Sequence, residues 1–177
     1  MTAAAKVALV DYGSGNLRSV AKALERSGLE VVRASSPSEM EGTDGIVLPG
    51  AGAFKDALDH LRASGLDEAL LRAVSDGRPY LGLCLGLQVL FEEGDEHGPV
   101  SGLGYFKGRV ERFPESTASM SFLFSADYYE VRKNGISPAQ NMAAYLGGSA
   151  IQTVGDNPVT AYRQLVQQFA KGLDGSA

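Results

Sequence analysis

The chain carries a single cysteine, Cys84, inside the pentapeptide Gly82-Leu83-Cys84-Leu85-Gly86. Gly-x-Cys-x-Gly placed directly after an apolar strand and before a helix has the spacing of a nucleophile elbow, with Cys in the place more often held by Ser. A sharp strand-to-helix turn forces strained backbone angles on the nucleophile, so its neighbours must be small, and Gly82 and Gly86 meet that need. Such a turn lifts the sulfur clear of the sheet and aims a helix N-terminus at it, which predicts a lowered thiol pKa. It also leaves the backbone N–H of Leu85 positioned to bind an oxyanion. A free cysteine packs equally well as a small apolar side chain, so the pentapeptide alone supports burial as readily as catalysis. The chemical reading gains from "LPGAGAF", a glycine loop closing the neighbouring strand. It can bring the N–H groups of Gly50, Ala51 and Gly52 toward the same spot outside the carboxyl edge of the sheet.

Few other residues compete for a chemical role. The chain has two histidines, His60 and His97. His60 lies off the apolar stripe of its helix, and His97 lies beyond the helix expected after the elbow, whose far end is on the order of 10 Å from Cys84. Both are read as solvated surface residues. One cysteine and two histidines make neither a disulfide nor a structural zinc site, and no metal or cofactor is expected. The turn "GSGN" resembles a phosphate cradle but lacks the full Gly-x-Gly-x-x-Gly spacing, because Arg18 stands where the third glycine would be.

The elements that must position Cys84 follow from the hydrophobic pattern. "KVALVDY" reads as a buried strand, and a helix follows with Leu17, Val20, Ala21 and Leu24 at i, i+3, i+4 and i+7. "LEVVRA" and "DGIVLPG" are the second and third strands. The next helix repeats the spacing with Phe54, Ala57, Leu58 and Leu61, and another uses Leu66, Ala69, Leu70, Ala73 and Val74. "RPYLGLC" is a fourth strand, nearly continuous in apolar residues, as expected when both faces are covered. This alternation predicts an α/β fold, doubly wound, with a mostly parallel central sheet and helices on both faces. Residues 93 to 121 read as polar and turn-rich, with a strand at "YFKGRVERF". "SFLFSADYYEV" is a further strand, "NGISPAQ" a turn, and a last helix starts near Pro158, with Asn157 as its cap and Val159, Tyr162, Val166 and Phe169 on one face.

At 177 residues, 44% hydrophobic and 21% charged, the chain reads as one soluble domain spanning 1–177. A net charge of −5 offers no general attraction to phosphate backbones or anionic lipid, so nucleic acid and membrane are not expected partners. No apolar run approaches the roughly 18 residues of a membrane span, and "MTAAAKVALVDY" is too polar for a signal peptide. A cytoplasmic location is expected.

"DYGSGNLRSVAKALERSG", "VLPGAGAFKDALDHL", "GRPYLGLCLGLQVLFE" and "GLGYFKGRVERF" together resemble the class I (triad) glutamine amidotransferases, in particular the subunits serving imidazole glycerol phosphate synthase in histidine biosynthesis. The likeness runs from about Val7 to Phe113. It implies that Cys84 attacks the side-chain amide of glutamine, that the oxyanion rests on Leu85 and the 50–52 loop, and that Gln88 helps hold the substrate. It implies a (βα)8-barrel cyclase subunit as partner and receiver of the ammonia, in a heterodimer, with Asn16 at a position facing that partner.

Residues 114–177 depart from the family and are shorter. The family's triad His and Glu lie in a late "QFHPEKS" segment. In the best ungapped register it pairs with "QTVGDNP", residues 152 to 158, which puts Val154 at the histidine position and Asp156 at the glutamate position. The "PHMGWN" segment has no counterpart, and "FSADYY" stands where the family has "FVHSYY". Asp156 also suits a helix N-terminus on its own account. Without its base an amidotransferase of this kind is expected to turn over slowly, because triad loss costs several orders of magnitude. The alternative is a catalytically inactive binding or regulatory protein. A third reading, a related cysteine hydrolase, would need a base elsewhere.

Overall fold

The computed structural model describes residues 4–112 and, beyond them, 129–131, 143–147, 150–153, 167, 169, 170 and 173. Six elements lead up to the elbow strand in the expected alternation. They are β1 (Lys6–Val10), α1 (Leu17–Arg26), β2 (Glu30–Ala34), β3 (Gly45–Gly50) and the paired helices α2 (Phe54–Ser64) and α3 (Leu66–Ser75), followed by β4 (Tyr80–Cys84). The parallel pairs β1·β2, β1·β3 and β3·β4 give the order β2-β1-β3-β4, so the carboxyl ends of all four strands share one edge.

Side-chain alternation along each strand builds two cores. Val7 and Leu9 of β1, Val47 of β3 and Leu81 and Leu83 of β4 pack with Val20, Ala21 and Leu24 of α1 and with Phe169 on one face. Ala8, Val10, Ile46, Leu48 and Tyr80 pack with Phe54, Leu58 and Leu61 of α2 and Leu66 and Leu70 of α3 on the other. This is the period-2 signature of a sheet covered on both sides. Full burial of a leucine such as Leu58 or Leu61 is worth about 2 kcal/mol. Phe169 and Leu173 reach the sheet at Gly45, where an added Cβ would lie 2.8 Å from each of their side chains. A side chain at 45 would oblige the Phe169 and Leu173 side chains to shift.

The sheet continues past β4 with two strands that the hydrophobic pattern did not disclose, β9 (Ala143–Gly147) and β10 (Ala150–Thr153), in the order β10-β9-β4-β3-β1-β2. β9 runs antiparallel to β4, with Leu83 opposite Ala143 and Tyr80 opposite Leu146. β10 returns antiparallel to β9 and ends with Thr153 opposite Ala144. It therefore finishes at the same edge as Cys84.

The region after the elbow differs from expectation. The helix there, α4 (Leu85–Gln88), is a single turn. The chain tightens at Leu90, whose N–H donates to Leu87 O at 3.2 Å, and enters β5 (Phe91–Asp95), β6 (Pro99–Ser101) and β7 (Phe106–Arg112). With β8 (Tyr129–Val131) these form a second sheet in the order β6-β5-β7-β8. Within the stretch read as polar and turn-rich, residues 93–95 and 99–101 are strand, β7 coincides with the strand expected at "YFKGRVERF", and 113–121 lie outside the described residues. Glu92, Lys107 and Arg109 are exposed and Glu93, Asp95 and Glu111 partly covered, while Phe91 and Val110 are buried. The expected "NGISPAQ" turn and the helix start at Pro158 lie outside the described residues.

Candidate active site

Cys84 ends β4 with φ 53 and ψ −115. Among the described residues it is the one non-glycine residue with positive φ. A side chain held there costs about 1–3 kcal/mol, and the surrounding structure has to enforce it. It does so by close contact on both sides of the turn. A Cβ on Gly86 would lie 1.9 Å from the Leu48 carbonyl oxygen, and one on Gly82 would lie 2.8 Å from the Leu87 nitrogen. The strand-turn-helix unit closes only with glycine at both positions, which is the requirement inferred from the pentapeptide.

The neighbouring loop meets the elbow directly. Gly50 is the ladder partner of Cys84 across β3·β4, and a Cβ on Gly50 would lie 2.5 Å from that of Leu85. Ala51 and Gly52 follow, both exposed, Gly52 with φ 95. The loop is held from two sides. Ser14 Oγ donates to Ala51 O at 2.9 Å, and Glu96 accepts the Phe54 backbone N–H at 2.8 Å. The latter supplies the start of α2 with the cap that Ala53 cannot provide.

Cys84 is open to solvent yet crowded on its protein side. Burial pushes its thiol pKa up, and the hydrogen bond from the Leu85 backbone only partly offsets this. The expectation of a lowered pKa is corrected here. A helix of one turn sums few peptide dipoles, so desolvation dominates. Tyr12 stands beside the same spot. Burial raises its phenol, hydrogen bonds with Ser14 and the Ala51 backbone pull the other way, and the proximity of Cys84 raises it slightly further.

Of the other sequence candidates, Gln88 lies in α4 and is 5% exposed, with no hydrogen-bond partner for its side chain among the described residues. Asn16 is exposed and caps α1, its Oδ1 accepting from the Ser19 backbone at 3.3 Å. His60, in α2, and His97, in the β5–β6 turn, are both exposed. The distance argument for His97 no longer applies, since no long helix follows the elbow. Val154 and Asp156 lie outside the described residues. Among the described residues no group of three or more His, Cys, Asp or Glu could hold a metal ion, and no helix is long and apolar enough to cross a membrane.

Sequence reasoning passed over Tyr12, Ser14 and Glu96. The first two follow β1 directly, so the rule that sites in parallel sheets gather at carboxyl ends could have found them. Glu96 carries no sequence signal, because its role depends on the second sheet folding back onto α2.

Residues 11–122 match the CobB/CobQ-like glutamine amidotransferase domain. The chain belongs to that family. Among curated relatives, this amidotransferase domain is 49% identical over 111 residues to the imidazole glycerol phosphate synthase subunit HisH of Geobacillus thermodenitrificans, an overlap covering 63% of this chain and 52% of that one. It is 52% identical over 107 residues to the subunit of the same name from Nostoc punctiforme, covering 60% of this chain and 50% of that one. The chain thus spans about half the length of the curated relatives it matches. A solved structure described as a glutamine amidotransferase superposes with a TM-score of 0.64 at 17% identity, covering 95% of this chain and 98% of that one. This agrees with the α/β, mostly parallel architecture.

Proposed function

We propose that this domain is the glutamine amidotransferase subunit of an imidazole glycerol phosphate synthase, acting on glutamine through Cys84. The observation that carries the reading is the strained Cys84 at the carboxyl end of β4, in ladder register with Gly50 of the glycine loop. The Cys84 thiolate attacks the side-chain carbonyl carbon of glutamine. The developing oxyanion accepts hydrogen bonds from the Leu85 N–H and from the amides of Gly50, Ala51 and Gly52. The C–N bond breaks as the amide nitrogen takes up a proton, ammonia leaves, and a thioester remains on Cys84. Water then cleaves the thioester to glutamate and returns the thiol. Gln88, buried beside the elbow with its amide unpartnered among the described residues, is suited to holding the substrate.

Ammonia released at this edge serves a cyclase partner, a (βα)8-barrel subunit in a cytoplasmic heterodimer, with exposed Asn16 on the docking side. The identity with HisH relatives over the elbow half supports this assignment. Turnover is slow. Val154 occupies the sequence position of the triad base and Asp156 that of its orienter, and burial pushes the Cys84 thiol pKa up, which disfavours the attacking thiolate. These same observations favour a second reading, a glutamine-binding domain that regulates a partner without turnover.

Two measurements separate the readings. An electrophilic glutamine analogue should label Cys84 faster than it labels a free thiol; equal rates would remove the nucleophile assignment. Glutamate release should be weak in the unmodified chain and should rise by at least about 100-fold in Val154→His/Asp156→Glu. No rise in that variant would favour the regulatory reading.

A further inference from the structure

The one-turn helix after the elbow ends too soon to satisfy its own carbonyls. Val89 N–H bonds Leu85 O at 3.0 Å and Leu90 N–H bonds Leu87 O at 3.2 Å, but no backbone N–H among the described residues reaches Gly86 O. That carbonyl is buried with its residue, and a buried carbonyl without a donor costs about 1–3 kcal/mol. The missing donor comes from the strand before the elbow. Tyr80, fully buried at the start of β4, donates its phenolic O–H to Gly86 O at 2.5 Å. Gly86 is thereby fixed twice, its Cα against the Leu48 carbonyl and its own carbonyl against Tyr80.

We propose that Tyr80 is a positioning residue for Cys84: its hydroxyl braces the turn by tying the strand that leads into Cys84 to the helix that leaves it, and so keeps the Leu85 N–H on the sulfur. The inference rests on the reading of Cys84 as nucleophile. Burial holds the Tyr80 phenol well above its ordinary pKa, so the hydroxyl remains a donor throughout the working range. Phenylalanine at 80 would keep the ring and its packing but leave Gly86 O unpartnered and the helix turn free to rotate.

The test follows thiol chemistry rather than glutamine turnover. The rate of Cys84 alkylation by iodoacetamide is measured from about pH 7 to 11 in the folded protein and in Tyr80→Phe. The variant is expected to show a titration midpoint shifted upward and alkylation about three- to tenfold slower at a fixed pH below it, the range that loss of one hydrogen bond gives. A midpoint that is unchanged or lower, with or without a loss of stability, overturns the brace and leaves Tyr80 a packing residue. Site-specific 3-fluorotyrosine at position 80, nearly isosteric and a stronger donor, covers the case in which Tyr80→Phe fails to fold. It should move the midpoint down, and no movement overturns the proposal. Failure of the brace would leave labelling of Cys84 by the glutamine analogue faster than that of a free thiol, whereas failure of the nucleophile reading would bring it down to the free-thiol rate.

Discussion

Cys84 stores strain that its side chain does nothing to relieve. Its φ of 53 lies in the region that glycine adopts freely. Cys84→Gly is therefore expected to fold at least as stably as Cys84→Ala, which keeps the Cβ and the strain. The difference should be about 1 kcal/mol, once the greater flexibility of glycine in the unfolded chain is subtracted. Urea unfolding of the two variants measures it, and an alanine variant that is the more stable would mean the elbow is not strained. Gly86→Ala should be far worse. With the Leu48 oxygen 1.9 Å from the new Cβ, β3 and α4 would have to separate, at a cost of about 3 kcal/mol or more. Both residues could be found in the sequence because the elbow is a local device, its requirements written within five positions. The direction of the thiol shift could not, because it depends on how much protein crowds the sulfur from other elements.

At the scale of elements, α2 begins with a weakness that another part of the chain repairs. Ala53 offers no side-chain cap, and Glu96 reaches across from the second sheet to accept the Phe54 N–H. Glu96→Ala should cost about 1 kcal/mol, as loss of a helix cap does, and should speed hydrogen exchange at the Phe54 amide; protection as in the parent would show that the cap is dispensable. The first three helices were legible because each repeats one period over ten or so residues, and β1 to β4 because they are short runs rich in apolar residues alternating with those helices. α4, β5 and β6 were not, since α4 is a single turn and β5 and β6 are short pieces in which charged, Gly, Pro and Ser residues interrupt the apolar pattern. β9 escaped for another reason: "AAYLG" is an ordinary apolar run, and its pairing with β4 is a long-range fact with no local mark.

For the molecule as a whole, the weak acids around the elbow are shifted in one direction. Tyr12, Tyr80 and Cys84 are all raised, each first of all by burial. A group whose folded pKa exceeds its unfolded value contributes stability that is complete below the unfolded pKa and is lost as pH rises through the folded one. The free thiol titrates near 8.5 and the free phenol near 10. Stability should therefore start to fall above about pH 8.5 and fall more steeply above about pH 10. Denaturant midpoints at successive alkaline pH values check this, and Tyr80→Phe should flatten the steeper part. A curve unchanged in that variant would mean the phenol ionises without opposing the fold.

The hydrogen-bonded pairing of β9 along Tyr80–Leu83 has a practical consequence for anyone dissecting the chain. The segment with the strongest kinship to amidotransferases stops short of β9, so it looks like a portion that could be cut out and kept. Cutting after Arg112 would strip β4 of one flank and turn the strand that carries the thiol into a bare sheet margin, ready to pair with a second molecule. Such a fragment should self-associate instead of behaving as a smaller folded domain, so the poorly matching tail serves as a guard for the part that matches well.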